Sequence, residues 1–400
     1  MNEESSTKKR RVVGGFFRSI VLIAITAIIT YYVTVNVTIE KYLSKANSAY
    51  MTTKMSLVKS KLEETYIYDL NEDEMIEGAI KGYVSGLGDK YTQYLTKDEL
   101  TSLMESTTGS YVGIGVYMAN STELNGVVIV GIIEGSTAER AGLQVGDVIS
   151  KVNDVDYIGK KSEDVATAIK GEEGTEVKVT IIRNSEEIDY NLMRASVKIK
   201  TVTSEIIDDN IAYIKISSFD NGTANEFRDH YNKLKEQNPK GLVIDLRNNG
   251  GGLVTESLSL ADTMVEKGST LLITRDKDGK EQIDKAKENP IVDIPVVILV
   301  NNNTASASEI LAGSLRDNRN YKIIGTNSYG KGVIQSVFSF KDGTGVKVTT
   351  NEYFSPNHNV INGVGIKPDI EVELNDEWNG ISSVPYENDL QLQRAIEELK

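Results

Sequence analysis

The distribution of apolar and polar positions changes character several times along the chain. From Ser19 to Ile39, "SIVLIAITAIITYYVTVNVTI", no charged residue interrupts the run. That length predicts a helix crossing a hydrocarbon core. Between Ser44 and Tyr66 the chain is polar, with Met51, Met55, Val58 and Leu62 at helical spacing. Asn71 with Glu74 three residues on reads as a capping box. It opens a second helix whose apolar face is Met75, Ile76, Ala79, Ile80 and Tyr83. These two helices predict a small helical module over residues 41–105. Next come runs that alternate with period two, such as "GVVIVGII" and "EVKVTIIR", and they predict strands. A short helix at "STAERA" and an amphipathic one at "KSEDVATAIKG" interrupt them. From about Lys198, buried-type strands ("NIAYIKISSF", "GLVIDL", "TLLITR", "IPVVILVN", "YKIIG") alternate with helical segments. That order predicts βα units around a mixed sheet. The charged stretch "DKDGKEQIDKAKENP" reads as a solvated loop.

Length and charge narrow the picture. Four hundred residues exceed one ordinary core and suggest two or three domains. A net charge of −14 argues against nucleic-acid binding, which needs a basic footprint. With no cysteine, disulfides, thiolate nucleophiles and thiolate metal sites are excluded. Only two histidines, His230 and His358, are available to a metal or a triad. Both sit in patterns of ordinary surface residues. Lys8, Lys9, Arg10, Arg11 and Arg18 precede the apolar run, so residues 1–18 read as a cytoplasmic tail and 19–40 as a transmembrane signal anchor. A cleaved signal peptide would give a secreted form. The run is long for one, and no small-x-small site closes it. In either case residues 41–400 lie outside the cytoplasm. A cysteine-free chain suits a Gram-positive exterior.

Two polar clusters follow buried strands, "DLRNNGGG" after "GLVI" and "NNNTASASE" after "VVILV". Ligands of α/β sheets gather at such strand ends. Ser306 and Glu309 fit S-x-x-E, so Ser306 alone reads first as a helix cap. A serine at a helix start after a buried strand is also a nucleophile's position, with a positive dipole end for an oxyanion. Such a serine needs a base. Lys331, in "SYGKGVIQ", has glycines on both sides, apolar residues next and no acid beside it in sequence. Burial there would lower its pKa toward a base's range. Ser328 and Lys331 also spell S-x-x-K, as in penicillin-binding enzymes, but Gly330 and Gly332 disfavour the helix that motif needs.

Two resemblances sharpen these readings. Residues 106–197, through "YVGIG" and "AERAGLQVGDVISKVND", resemble a PDZ peptide-binding domain. The resemblance implies that the loop Tyr111, Val112, Gly113, Ile114 binds a C-terminal carboxylate, and that the peptide adds a strand beside "IGVYM". Its last side chain would then sit among Ile114, Val116, Val165 and Ile169. "NTASASEI", "SYGKGVIQ", "DLRNNGGG", "EGAIKGYVSGLGDKYTQYL" and "GVGIKPDI" together closely resemble the C-terminal processing peptidase (tail-specific protease) family. That resemblance implies a Clp protease/crotonase-like α/β core over 198–400, with a C-terminal helix and the PDZ domain inserted before it. It implies a serine endopeptidase with Ser306 as nucleophile, Lys331 as general base and Gln335 orienting the lysine. Gly251 and the Ala307 N–H would form the oxyanion hole, with Gly252 nearby. Protein or peptide substrates with exposed C-terminal tails, a homodimer and no cofactor are implied as well. The rival readings are a PDZ adaptor with an inert core and a crotonase-like acyl-CoA enzyme. Intact dyad positions disfavour the first, and an exterior location disfavours the second.

Overall fold

The computed structural model describes residues 46–375 and 384–400, together with Thr26, Thr30, Tyr31 and Val33. Apart from those four residues, the anchor expected over 19–40 lies outside the described residues. Among the described residues no helix is long and apolar enough to cross a membrane. The chain divides into two compact units, 1–78 and 79–400. In the first, helix Ala46–Thr65 leaves Met51, Met55 and Val58 exposed. The Asn71 side chain accepts the Glu74 N–H at 3.4 Å, at the start of helix Glu72–Ser85.

The centre of the second unit is a six-stranded sheet. Its order is Val202–Ile207, Ile211–Ile216, Gly241–Asp245, Val296–Val300, Lys322–Gly325, Ile370–Glu371. The first pair is antiparallel and the rest are parallel. Gly241–Asp245 and Val296–Val300 are buried at every position. This explains their unbroken apolar sequence, since parallel strands are covered on both faces. Leu242, Ile244, Ile298 and Val300 share one core with residues of helices Thr223–Lys235, Val254–Asp262 and Ala307–Arg319. Val243, Val297 and Leu299 point the other way, toward Leu392, Ala395 and Ile396 of helix Leu390–Glu398.

A second, antiparallel sheet joins Gln93–Leu95, Gly345–Phe354, Thr270–Asp276 and Glu281–Lys285, with Val333–Ser339 also on Gly345–Phe354. Glu281–Lys285 lies in the stretch read as a solvated loop. It is a strand paired with Thr270–Asp276, and its exposed charged residues concealed it. Residues 116–193 form a separate antiparallel sheet of five principal strands with its own core, and helix Ser162–Ile169 lies on it.

Candidate active site

Strand Val296–Val300 emerges from the buried centre into the turn that opens helix Ala307–Arg319. The three alternate hydroxyls there have different fates. Thr304 Oγ1 donates to Leu246 O at 2.8 Å and Ser308 Oγ to Asn249 O at 3.1 Å. Both are fully buried and stitch this turn to the glycine loop after Gly241–Asp245. Ser306 lies between them, 8 % exposed; its side chain faces the Glu309 N–H in a capping-box arrangement, but no hydrogen bond to its Oγ forms among the described residues.

Its backbone explains the difference. Ser306 has φ 57° and ψ −118°, whereas an ordinary N-cap sits in the β region. Such a conformation costs on the order of 1–3 kcal/mol in a residue with a Cβ and persists only where the surroundings enforce it. A sharp strand-to-helix turn of this kind is how a nucleophilic hydroxyl is held clear of its own backbone. The cap is supplied in reverse: the Ser306 N–H donates to Glu309 Oε2 at 2.8 Å.

The glycine loop fits against this turn. At Gly251 (φ +103°) an added Cβ would lie 2.7 Å from Ser306 Cβ and 3.0 Å from Ala307 N. At Gly252 (φ +139°) it would lie 2.4 Å from Phe219 O. No side chain fits at either position. The oxyanion hole expected from Gly251 and Ala307 is only half formed. Among the described residues the Ala307 N–H has no partner in a hydrogen bond. The Gly251 N–H donates to Asn249 Oδ1 at 2.9 Å. Asn249 is itself fixed, because its Nδ2 donates to Ile216 O at 2.9 Å.

Lys331 is partly buried in the loop before Val333–Ser339. Burial, helped by the neighbouring Lys347 charge, holds its ammonium below the usual lysine range, while Tyr329 and Glu309 oppose the shift. The Tyr91 ring covers it, with Nζ 5.0 Å from the ring centroid. The sequence suggested a lysine with no acid nearby. The structure corrects this, since the Lys331 backbone N–H donates to Glu309 Oε2 at 2.9 Å. That carboxylate accepts from four donors, and among the described residues it makes no salt bridge to Nζ. No hydrogen bond joins Ser306 Oγ to Lys331 Nζ among the described residues. Gln335, expected to orient the lysine, donates its Nε2–H to Thr349 Oγ1 at 3.2 Å. A register shift falls between Ile334 and Gln335.

The S-x-x-K alternative does not survive. Ser328 and Lys331 lie in a loop, with Gly330 at φ +84°. The Ser328 hydroxyl is taken up by Glu309 and the Ile366 N–H. His230 pairs with Ser204 Oγ at 2.6 Å, and His358 is paired with Glu281 at 3.4 Å.

In the preceding segment, strand Val116–Ser121 is the edge of its sheet. A groove of about 420 Å³ runs between it and helix Ser162–Ile169, lined by Ile114, Val116, Met118, Ala166 and Ile169. Val165, expected in this pocket, is fully buried in the domain core, and Ala166 takes its place one residue round the helix. Tyr111, Val112 and Gly113 are not a free loop. With Ser110 they pair with Ala195–Lys198, and the turn follows at Gly115 (φ +86°).

Comparison with known proteins decides the family. Over 373 residues the chain is 32 % identical to carboxy-terminal processing protease CtpA of Bacillus subtilis, covering 93 % of this chain and 78 % of that protein. The chain belongs to peptidase family S41. The family model matches residues 210–372, a PDZ domain model matches 128–183, and the CtpB N-terminal domain of an activating protease matches 25–99. A probable CtpA-like serine protease of Staphylococcus aureus is 34 % identical over 389 residues, covering 96 % of this chain and 77 % of its own. A solved structure described as a "Putative S41 protease" from Bacteroides fragilis shares the fold at TM-score 0.51 and 18 % identity, over 84 % of this chain and 92 % of that one. This S41 peptidase is thus a serine-type C-terminal processing protease with a PDZ domain. Glu309, Asn249, Tyr353 and Tyr91 went unnoticed in the sequence as neighbours of the site. Only Glu309 carried a local signal, the S-x-x-E spacing, and that signal pointed to a cap.

Proposed function

We propose that this peptidase is a membrane-anchored, extracytoplasmic endopeptidase that takes protein C-terminal tails through its PDZ groove and cleaves them with a Ser306–Lys331 dyad. The carrying observation is the strained Ser306 turn, which holds at a helix start a hydroxyl with no hydrogen bond among the described residues. Lys331 Nζ removes the Ser306 proton, and Oγ attacks the peptide carbonyl. The Ala307 N–H receives the developing oxyanion, joined by the Gly251 N–H once it leaves Asn249. Lys331 returns the proton to the leaving amine, and water then releases the acyl group by the reverse path. The free edge of Val116–Ser121 would pair with the tail as an added strand.

The full chain in detergent should cleave a protein bearing an apolar, unstructured C-terminal tail. A serine-directed phosphonate should add its mass at Ser306. Cleavage at the wild-type rate by Ser306→Ala or Lys331→Ala removes the dyad. Location is tested on intact cells, where externally added protease should degrade the catalytic part while the chain fractionates with the membrane. Full protection would reverse the proposed orientation. A homodimer belongs to the same proposal, and a monomer mass by light scattering would remove it.

A further inference from the structure

The chemistry proposed above uses two residues from segments far apart in sequence, and the structure ties their backbones together at both ends. Glu309 is fully buried on the first turn of helix Ala307–Arg319. One of its oxygens accepts both the Ser306 N–H at 2.8 Å and the Lys331 N–H at 2.9 Å. The other accepts the Gly330 N–H at 2.7 Å and the Ser328 hydroxyl. Every lone-pair position of the carboxylate is thereby used. On the carbonyl side stands Tyr353, also fully buried, in strand Gly345–Phe354. Its hydroxyl lies 3.1 Å from Ser306 O and also hydrogen-bonds Lys331 O, sharing one proton between two carbonyls. Its own N–H donates to Gly332 O at 2.9 Å.

We propose that Glu309 and Tyr353 form a clasp of positioning residues that sets the separation of Ser306 and Lys331 without touching substrate. The inference rests on the dyad reading. A residue in Ser306's conformation must be held at both peptide groups or it relaxes. Here its N–H is held by one clasp member and its C=O by the other. The same two side chains hold the N–H and C=O of Lys331. Both backbones are therefore held by the same two side chains. Glu309 is not the acid of a Ser–Lys–Glu relay, because its acceptors are spent on backbone and Ser328 rather than on Nζ.

The test compares Tyr353→Phe with wild type and Ser306→Ala, all as full chain. Phenylalanine keeps the buried ring and removes only the shared proton. Misplacement of reacting groups by an ångström costs about 10²-fold, so kcat should fall about 10- to 100-fold. KM and the affinity of the PDZ groove for a tail peptide should stay within about twofold. The rate at which a serine-directed phosphonate labels Ser306 should fall in parallel with kcat. A folded Tyr353→Phe with wild-type kcat and labelling rate, or one that raises KM alone, overturns the clasp while an inert Ser306→Ala leaves the dyad standing. An active Ser306→Ala overturns both. Should Tyr353→Phe not fold, Ser328→Ala takes its place, because it releases one bond on Glu309. It should lower kcat several-fold, and an unchanged kcat refutes the clasp.

Discussion

Replacing the proposed nucleophile should stabilise or destabilise the protein according to which small residue replaces it. Ser306 holds φ 57° and ψ −118° with a Cβ, and its hydroxyl makes no capping hydrogen bond. Ser306→Ala keeps the Cβ and therefore the strain. Ser306→Gly removes both. The strain is worth on the order of 1–3 kcal/mol. Against it stands the extra chain entropy that glycine gives the unfolded state, roughly 0.5–1 kcal/mol. The net expectation is that Ser306→Gly is more stable than Ser306→Ala by about 1 kcal/mol. Both variants lack the hydroxyl, so its contribution cancels. In a domain of this size that difference should raise Tm by about 2–4 °C. Urea unfolding followed by tryptophan-independent circular dichroism should move the midpoint in the same direction with an unchanged slope. If Ser306→Gly unfolds at or below the Ser306→Ala midpoint, the turn is not strained and Ser306 is an ordinary cap.

The remaining predictions concern the glycine loop, Lys331 and a buried ion network. Gly251→Ala places a Cβ 2.7 Å from Ser306 Cβ at φ +103°, so kcat should drop by about 10²–10³-fold, the scale of losing an oxyanion donor; steady-state kinetics near wild type would refute the fit. Lys347→Met removes a like charge that helps hold Lys331 below its ordinary range. The base must be neutral to act, so its pKa rises, the acidic limb of the kcat/KM profile moves to higher pH, and activity at pH 7 falls. A limb that stays or moves down contradicts this. Asp389→Ala removes a partner that meets Arg247 at 2.7 Å inside a buried network with Asp245. Arg247 keeps its pair with Asp245 and its bond to Gln391, so losing the Asp389 bonds should cost about 1.5–3 kcal/mol, measured by denaturant unfolding, and a loss below about 1 kcal/mol would show that water replaces them.

The readable parts of the chain were those where one local cause dominates. "GLVID" and "VVILV" announce themselves because both faces of each strand are covered, so every position is apolar. "EQIDK" does not, because its strand is held by backbone pairing to Thr270–Asp276 while its side chains meet water. The Val165–Ala166 exchange is a phase error on a helix. An amphipathic pattern tells which stripe is apolar, but not which edge of it faces the groove and which the core. The bond of Gln335 to Thr349 could not be foreseen, because a register shift in a hairpin leaves no mark on composition. S-x-x-E is written identically for a capped helix and for a nucleophile turn, and only the Ser306 torsions separate them. Glu309 gathers donors at 306, 328, 330 and 331, a convergence that exists only after folding.

The bond from the Gly251 N–H to Asn249 Oδ1 bears on selectivity between states of the reaction. An amide oxygen of Asn249 and the neutral carbonyl of a bound peptide are acceptors of similar strength. Exchanging one for the other gains a resting substrate almost nothing. A tetrahedral oxyanion is charged, and its hydrogen bonds are roughly twice as strong. Only that species displaces the carboxamide at a profit. Under the proposed mechanism the Asn249 side chain would offset what the Gly251 N–H gives a resting substrate and leave what it gives the transition state, the part that accelerates the chemical step.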